Sequence, residues 1–130
     1  MKKHTVHLLL FLAAFLLFAL YGLRGMPEPE LLMRIDSATY LAPARSLLNS
    51  FSYADASGVP TALRVPLYPA FLAFSLAVSG NSLLFCILMN CALSAIAVPV
   101  LHQAALEFTE NKRIALTASL LLMFSPTEIA

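Results

Sequence analysis

Charged residues are confined to a few short stretches of the chain, and three long apolar runs separate them. Asp, Glu, Lys and Arg are absent from positions 5–23, 65–106 and 114–127. A single charge near the centre of a bilayer costs roughly 2.5–3.5 kcal/mol on insertion scales, and a spanning helix needs about 20 residues. The runs therefore predict three transmembrane helices, at 6–23, 82–101 and 114–130.

The polar segment 24–81 separates the first two predicted spans, and it is predicted to contain two helices that lie in the membrane interface. The first, near 37–49, has apolar residues at helical spacing and polar residues on its other faces, as an amphipathic helix does. Those apolar residues are Tyr40, Ala44, Leu47, Leu48 and Phe51. The second, near 67–79, is apolar throughout but too short to cross a bilayer, which favours an interfacial or re-entrant helix.

The basic residues near the spans predict the orientation in the membrane. A Lys pair precedes the first span, and a Lys-Arg pair lies in the short segment 102–113 between the second and third. Because Lys and Arg are enriched in cytoplasmic loops, residues 1–5 and 102–113 are predicted to be cytoplasmic and 24–81 to lie outside. A cleaved signal peptide is the alternative for the first run, but Ala19-Leu20-Tyr21 lacks the small-x-small pattern of a cleavage site.

Composition supports a lipid environment. Hydrophobic residues make up 60% of the chain and charged residues only 12%, whereas soluble domains are about 45–50% apolar and about 25% charged. The net charge of +1 gives no electrostatic basis for binding nucleic acid. Cys86 and Cys91 lie in one apolar run, at a spacing that favours packing over a disulfide or a metal site. The sequence therefore predicts an all-α integral membrane protein.

Two residues of the outer segment could carry chemistry. Asp36 opens the first interfacial helix, where it could cap backbone N–H groups or act as a general base or cation ligand. Arg64 opens the second, where it could extend to the headgroup level or bind a lipid phosphate. The residues alone favour the cap for Asp36 and support both roles of Arg64 equally. Arg34, Tyr40 and Tyr68 are further candidates, although surface arginines and interfacial tyrosines are common without a function.

The order of these features resembles that of a known enzyme family. An acidic motif, Asp36-Ser37-Ala38-Thr39-Tyr40, is followed by the helix that leads to Leu48, and then by a basic, proline-containing motif from Arg64 to Pro69. A short helix from Phe71 to Gly80 precedes two spans that a basic loop joins, with Ser125-Pro126 late in the second. This arrangement resembles the N-terminal part of membrane glycosyltransferases of the GT-C class, the group that contains the aminoarabinose transferase and the protein mannosyltransferases.

The resemblance implies a transferase that takes a sugar from a polyprenyl-phosphate donor in the membrane and gives it to an acceptor at the outer face. By position in the motifs, Asp36 would be the catalytic base, with a divalent cation as a potential cofactor, and Arg64 would bind the donor phosphate. Tyr40, Tyr68 and Arg34 would support the site. The chain would then be the N-terminal part of a longer protein whose C-terminal part completes the site, and it would be inactive alone.

Two other function classes fit parts of the sequence. A small structural or assembly membrane protein, complete at 130 residues, would explain the length but not the long outer segment with its two helices. A transporter or channel subunit would carry ionisable residues inside its spans, and the three apolar runs contain no Asp, Glu, Lys or Arg. Membrane lipids are partners under each of these hypotheses.

Overall fold

The computed structural model describes residues 3–24 and 35–125, and this part of the chain is helical, without β-strands. The predicted all-α class is therefore confirmed there. The five helices are α1 (Lys3–Arg24), α2 (Ile35–Ser50), α3 (Leu67–Ser79), α4 (Leu83–Thr109) and α5 (Lys112–Met123).

Two of these helices, α1 and α4, are long and apolar enough to cross a membrane. Only 22% of the most apolar stretch of each is buried inside the protein. The core helix of a soluble protein would be mostly buried, so this exposure supports contact with lipid for both helices. The third span predicted at 114–130 stays a prediction, because α5 has 12 residues and positions 126–130 lie outside the described range.

Helix α4 continues past the predicted span at 82–101, a continuation to Phe108 that the sequence also allows. Residues 102–109, which were placed in a cytoplasmic loop, form its last two turns. The reason is that the stretch Gln103–Leu106 contains good helix formers and lacks glycine and proline. The helix ends where Glu110 adopts a positive φ of 52°, and the Asn111 side chain then accepts hydrogen bonds from the first backbone N–H groups of α5.

The chain forms two compact units, which are described separately. The first comprises Met1–Arg24 and Ile87–Ala130, and the second comprises Gly25–Cys86. In the first unit, α1, α4 and α5 contribute to a core of small and medium-sized side chains. Its buried members are Leu10, Ala14, Phe18, Cys91, Ala95, Val98 and Met123. Alanines at the centre of such a contact allow helix backbones to approach closely.

In the second unit, α2 packs against α3. The buried core residues are Ala44, Leu72, Ala73, Leu76 and Cys86. The apolar stripe of α2 that was predicted to face the membrane packs on this core instead, through Tyr40, Leu47 and Leu48. Only Phe51, at the end of the stripe, is almost fully exposed. Helical spacing identified the apolar face correctly, but α3 covers most of it.

A sharp break separates α3 from α4. Gly80 and Asn81 both have left-handed backbone conformations, with φ values of 65° and 72°. Their N–H groups both donate to the carbonyl of Leu76, which closes the end of α3. Ser82 then starts α4, because its Oγ accepts a hydrogen bond from the Phe85 N–H at 3.3 Å.

Candidate functional site

Arg64 is the centre of the polar contacts in the second unit. It lies in the segment between α2 and α3, and its side chain is half-buried. Its Nε donates a hydrogen bond to Thr39 Oγ1 at 3.1 Å, and its guanidinium carbon lies 4.6 Å from the centroid of the Tyr40 ring. A hydrogen bond and a cation–π contact therefore hold the guanidinium on adjacent residues of α2.

The backbone of Arg64 is held from another direction. The Tyr53 hydroxyl donates a 2.7 Å hydrogen bond to the Arg64 carbonyl, and this contact is partly buried. Sequence reasoning missed Tyr53, because it stands in a turn-rich stretch between the two predicted interfacial helices. The tyrosine itself was the one clue in the sequence. A tyrosine that packs away from water usually has a hydrogen-bond partner for its hydroxyl, so a contact of this kind could have been expected.

A compact turn positions Tyr53. The carboxylate Oδ1 of Asp55 accepts hydrogen bonds from the N–H groups of Ser57 and Val59, at 2.8 and 3.0 Å. Gly58 adopts a φ of 80° at the tip, which a residue with a side chain rarely does. Asp55 therefore has a structural role in this turn, as Asx residues often do.

The tyrosines predicted to support the site are next to each other. The Tyr40 and Tyr68 rings meet edge to face, with centroids 5.0 Å apart and an interplanar angle of 85°. Phe71, one turn further along α3, stacks on Tyr68 at 6.2 Å. Edge-to-face pairs contribute roughly 0.5–1.5 kcal/mol beyond their buried area. The fold thus brings together three of the predicted site residues, Arg64, Tyr40 and Tyr68.

Asp36 and Arg34 are the other two predicted site residues. The backbone of Asp36 belongs to the first turn of α2, while its side chain and all of Arg34 lie outside the described part of the chain. Thr39 and Tyr40 follow Asp36 by three and four positions, and residues at those separations share one face of a helix. The position of Asp36 in α2 is therefore one turn before the two residues that hold Arg64.

A small cavity of about 190 Å³ lies between α2 and the Asp55 turn. Thr39 and Pro43 line it from α2, and Asp55, Thr61 and Leu63 line it from the turn and the segment that follows. Because Thr39 also accepts the hydrogen bond from Arg64, the cavity borders the arginine site. Among the residues that the structure describes, no group of three or more His, Cys, Asp or Glu side chains could hold a metal ion.

A separate polar cluster lies in the first unit. The rings of His7 and His102 make an edge contact, with centroids 5.5 Å apart. His7 Nε2, His102 Nδ1 and Gln103 Oε1 are buried and have no hydrogen-bond partner among the described residues. The Gln103 amide nitrogen donates to Glu107, and His7, Gln103 and Glu107 line an open cavity of about 650 Å³.

Comparison of this chain with protein-family models, with curated proteins and with solved structures finds no match. The candidate site is therefore defined by its own geometry.

Proposed function

We propose that this chain is the N-terminal part of a polytopic membrane glycosyltransferase of the GT-C type. It would move a sugar from a polyprenyl-phosphate donor to an acceptor at the outer face of a bacterial inner membrane. The observation that supports this proposal best is the position of Arg64, which is held on α2 by Thr39 and Tyr40. Two motifs that are far apart in the sequence thereby come into contact, because Arg64 of the second motif lies against Thr39 and Tyr40 of the first.

The role proposed for Arg64 is to bind the phosphate of the donor lipid. A guanidinium presents five N–H donors in a rigid fork, and a phosphate accepts two of them in parallel. The Tyr40 ring and the Thr39 hydroxyl set the orientation of this fork before a ligand arrives. Such fixed donors stabilise the negative charge that develops on a departing phosphate.

The role proposed for Asp36 is that of general base. The acceptor oxygen or nitrogen would attack the anomeric carbon of the donor sugar, and its proton would pass to the Asp36 carboxylate. The bond from the sugar to the phosphate would break, and the lipid phosphate would leave with the electron pair beside Arg64. Tyr40, Tyr68 and Arg34 would support this arrangement, and a divalent cation near Asp36 is a potential cofactor.

The topology belongs to the same proposal. Helices α1 and α4 would cross the membrane, and the segment that starts with α5 would cross it a third time. The N-terminus and the connection between α4 and α5 would be cytoplasmic, because Lys2 and Lys3 lie at the first, and Lys112 and Arg113 directly follow the second at the start of α5. The second unit, with Arg64, would then face the outer side, where the acceptor is presented.

Binding of a lipid phosphate by the chain itself tests the proposal. The protein is placed in nanodiscs that contain either a polyprenyl phosphate or the matching polyprenol, and bound lipid is counted by native mass spectrometry. We expect the phosphate to be retained preferentially, Arg64→Ala to abolish the preference, and Arg64→Lys to retain part of it.

Arg45→Ala is the matched control, because Arg45 is an exposed arginine on α2. Equal retention of polyprenol and polyprenyl phosphate, or an equal loss with Arg45→Ala and Arg64→Ala, would overturn the assignment of Arg64. A structural or assembly role, or a role as a transporter subunit, would then be the better hypothesis.

A further inference from the structure

Helix α3 is apolar on two opposite faces. One face packs on α2 and contains Pro69, Leu72, Ala73 and Leu76, which are buried. The opposite face, called here the outer face of α3, is exposed and consists of Leu67, Ala70, Phe74, Ala77 and Val78. Leu67 is 81% exposed, and Phe74 and Val78 are each 61% exposed. A surface helix in water would carry polar residues at these positions.

The segment before α3 also exposes apolar side chains. Leu63 and Val65 are 70% and 77% exposed, whereas Arg64 between them points towards α2 and contacts Thr39. At this point the charged side chain of Arg64 packs against the protein, and the aliphatic side chains of Leu63 and Val65 are exposed. A surface in contact with water usually shows the opposite arrangement.

The neighbouring element in the chain indicates what covers this surface. Three residues, 80–82, connect α3 to α4, and such a segment spans at most roughly 10 Å when extended. Because α4 is long and apolar enough to cross a membrane, α3 is tethered close to any bilayer that α4 enters. Arg64 and Tyr68 stand at the other end of α3, and Arg and Tyr are the residues that favour the headgroup level.

We infer that the outer face of α3, together with Val65, is immersed among lipid acyl chains, and that α2 lies over α3 and outside the acyl region. A protein partner fits less well, because most protein interfaces have a polar rim around an apolar centre, and no charged residue occurs from 65 to 106. This inference concerns the contact with lipid and does not depend on the proposed transferase activity.

The chain offers a clean spectroscopic test, because it contains no tryptophan. Phe74→Trp places a single fluorophore on the outer face of α3 with little change in side-chain shape. Asn49→Trp is the matched control, since Asn49 is an exposed position on α2. Each variant is reconstituted into vesicles of phosphatidylcholine and phosphatidylglycerol, with and without lipids brominated on their acyl chains.

We expect brominated lipids to remove most of the Phe74→Trp emission, which will also be blue-shifted, and to leave Asn49→Trp nearly unchanged. Aqueous iodide should have the opposite effect on the two variants. Quenching of Phe74→Trp by iodide would overturn the inference in favour of a water-exposed face. Protection of Phe74→Trp from both quenchers would overturn it in favour of a covering protein surface.

Further single-tryptophan variants along α3 make the conclusion independent of whether any one variant misfolds. Ala70→Trp and Ala77→Trp share the outer face with Phe74, so both should be quenched by brominated lipid. Leu76→Trp faces the core against α2 and should show much less quenching by either reagent if it folds. Lipid quenching that does not follow the helical period would also contradict the inference.

Discussion

Arg64 and Thr39 are joined by a 3.1 Å hydrogen bond from the guanidinium Nε to the threonine hydroxyl, across a separation of 25 residues in the sequence. This bond links the segment before α3 to the second turn of α2. It also fixes the direction of the Arg64 guanidinium. Among the described arginines, Arg64 alone contacts both a hydroxyl and an aromatic ring.

Thr39→Val should weaken the arginine site without unfolding the second unit. Valine has nearly the shape of threonine but cannot accept the hydrogen bond from Arg64. A hydrogen bond to a charged group contributes about 1.5–3 kcal/mol when it is buried, and this one is partly exposed, so we expect a loss of about 1 kcal/mol. The retention of polyprenyl phosphate in nanodiscs should fall as well. Thr39→Ser keeps the hydroxyl and is the control, and equal behaviour of the two variants would contradict the role of this bond.

Tyr53→Phe should loosen the segment between the Asp55 turn and α3. The substitution removes the hydroxyl that donates to the Arg64 carbonyl and keeps the ring. A hydrogen bond of this kind contributes about 0.5–1.5 kcal/mol. Hydrogen exchange measured by mass spectrometry should increase in peptides that cover 61–66 and remain unchanged in peptides from α4. Unchanged exchange at 61–66 would show that the hydroxyl does not hold the Arg64 backbone.

Gly22→Leu should destabilise the first unit, because a large side chain at position 22 has no room. A Cβ there would lie 3.1 Å from Ile87 Cγ2 and 3.4 Å from Cys91 Sγ. Gly22→Ala requires only a small movement of these side-chain ends, whereas leucine requires α1 and α4 to separate, at a cost of about 1–3 kcal/mol. Thermal unfolding in detergent, followed by circular dichroism, measures the effect. Ala13→Leu on the exposed face of α1 is the control, and it should unfold at the temperature of the parent protein.

His102→Leu should leave the stability of the first unit unchanged or increase it. The buried Nδ1 of His102 has no hydrogen-bond partner among the described residues, and such an unsatisfied group costs about 1–3 kcal/mol. Leucine removes that cost and keeps most of the packing. The same detergent unfolding assay compares it with His4→Leu, at an exposed position. A clear drop in unfolding temperature for His102→Leu alone would instead show that bound water or another ligand satisfies the imidazole.

The sequence predicts the helices well and their contacts less well. The positions of α2 and α3 follow from apolar spacing and from the Gly80-Asn81 break. The contacts of Tyr40 with Arg64 and with Tyr68 could not be derived from the sequence, because they depend on how the segment between the helices folds back. Periodicity shows which face of α2 is apolar. It does not show that α3 covers this face, because the packing partner is determined by the tertiary structure. Tyr53 was missed for a related reason, since its hydrogen bond depends on how the Asp55 turn folds back.

The break between α3 and α4 has a consequence for the way this protein enters a membrane during synthesis. The run from 65 to 106 contains no charged residue that could mark where a span begins. The left-handed conformations of Gly80 and Asn81 set this boundary instead, because they end α3 and prevent one continuous helix through α3 and α4. The insertion machinery would otherwise receive one continuous helix with several equivalent registers. Replacing the pair with Ala-Leu should therefore shift the insertion register of α4, which cysteine-accessibility mapping from residue 82 onwards would detect.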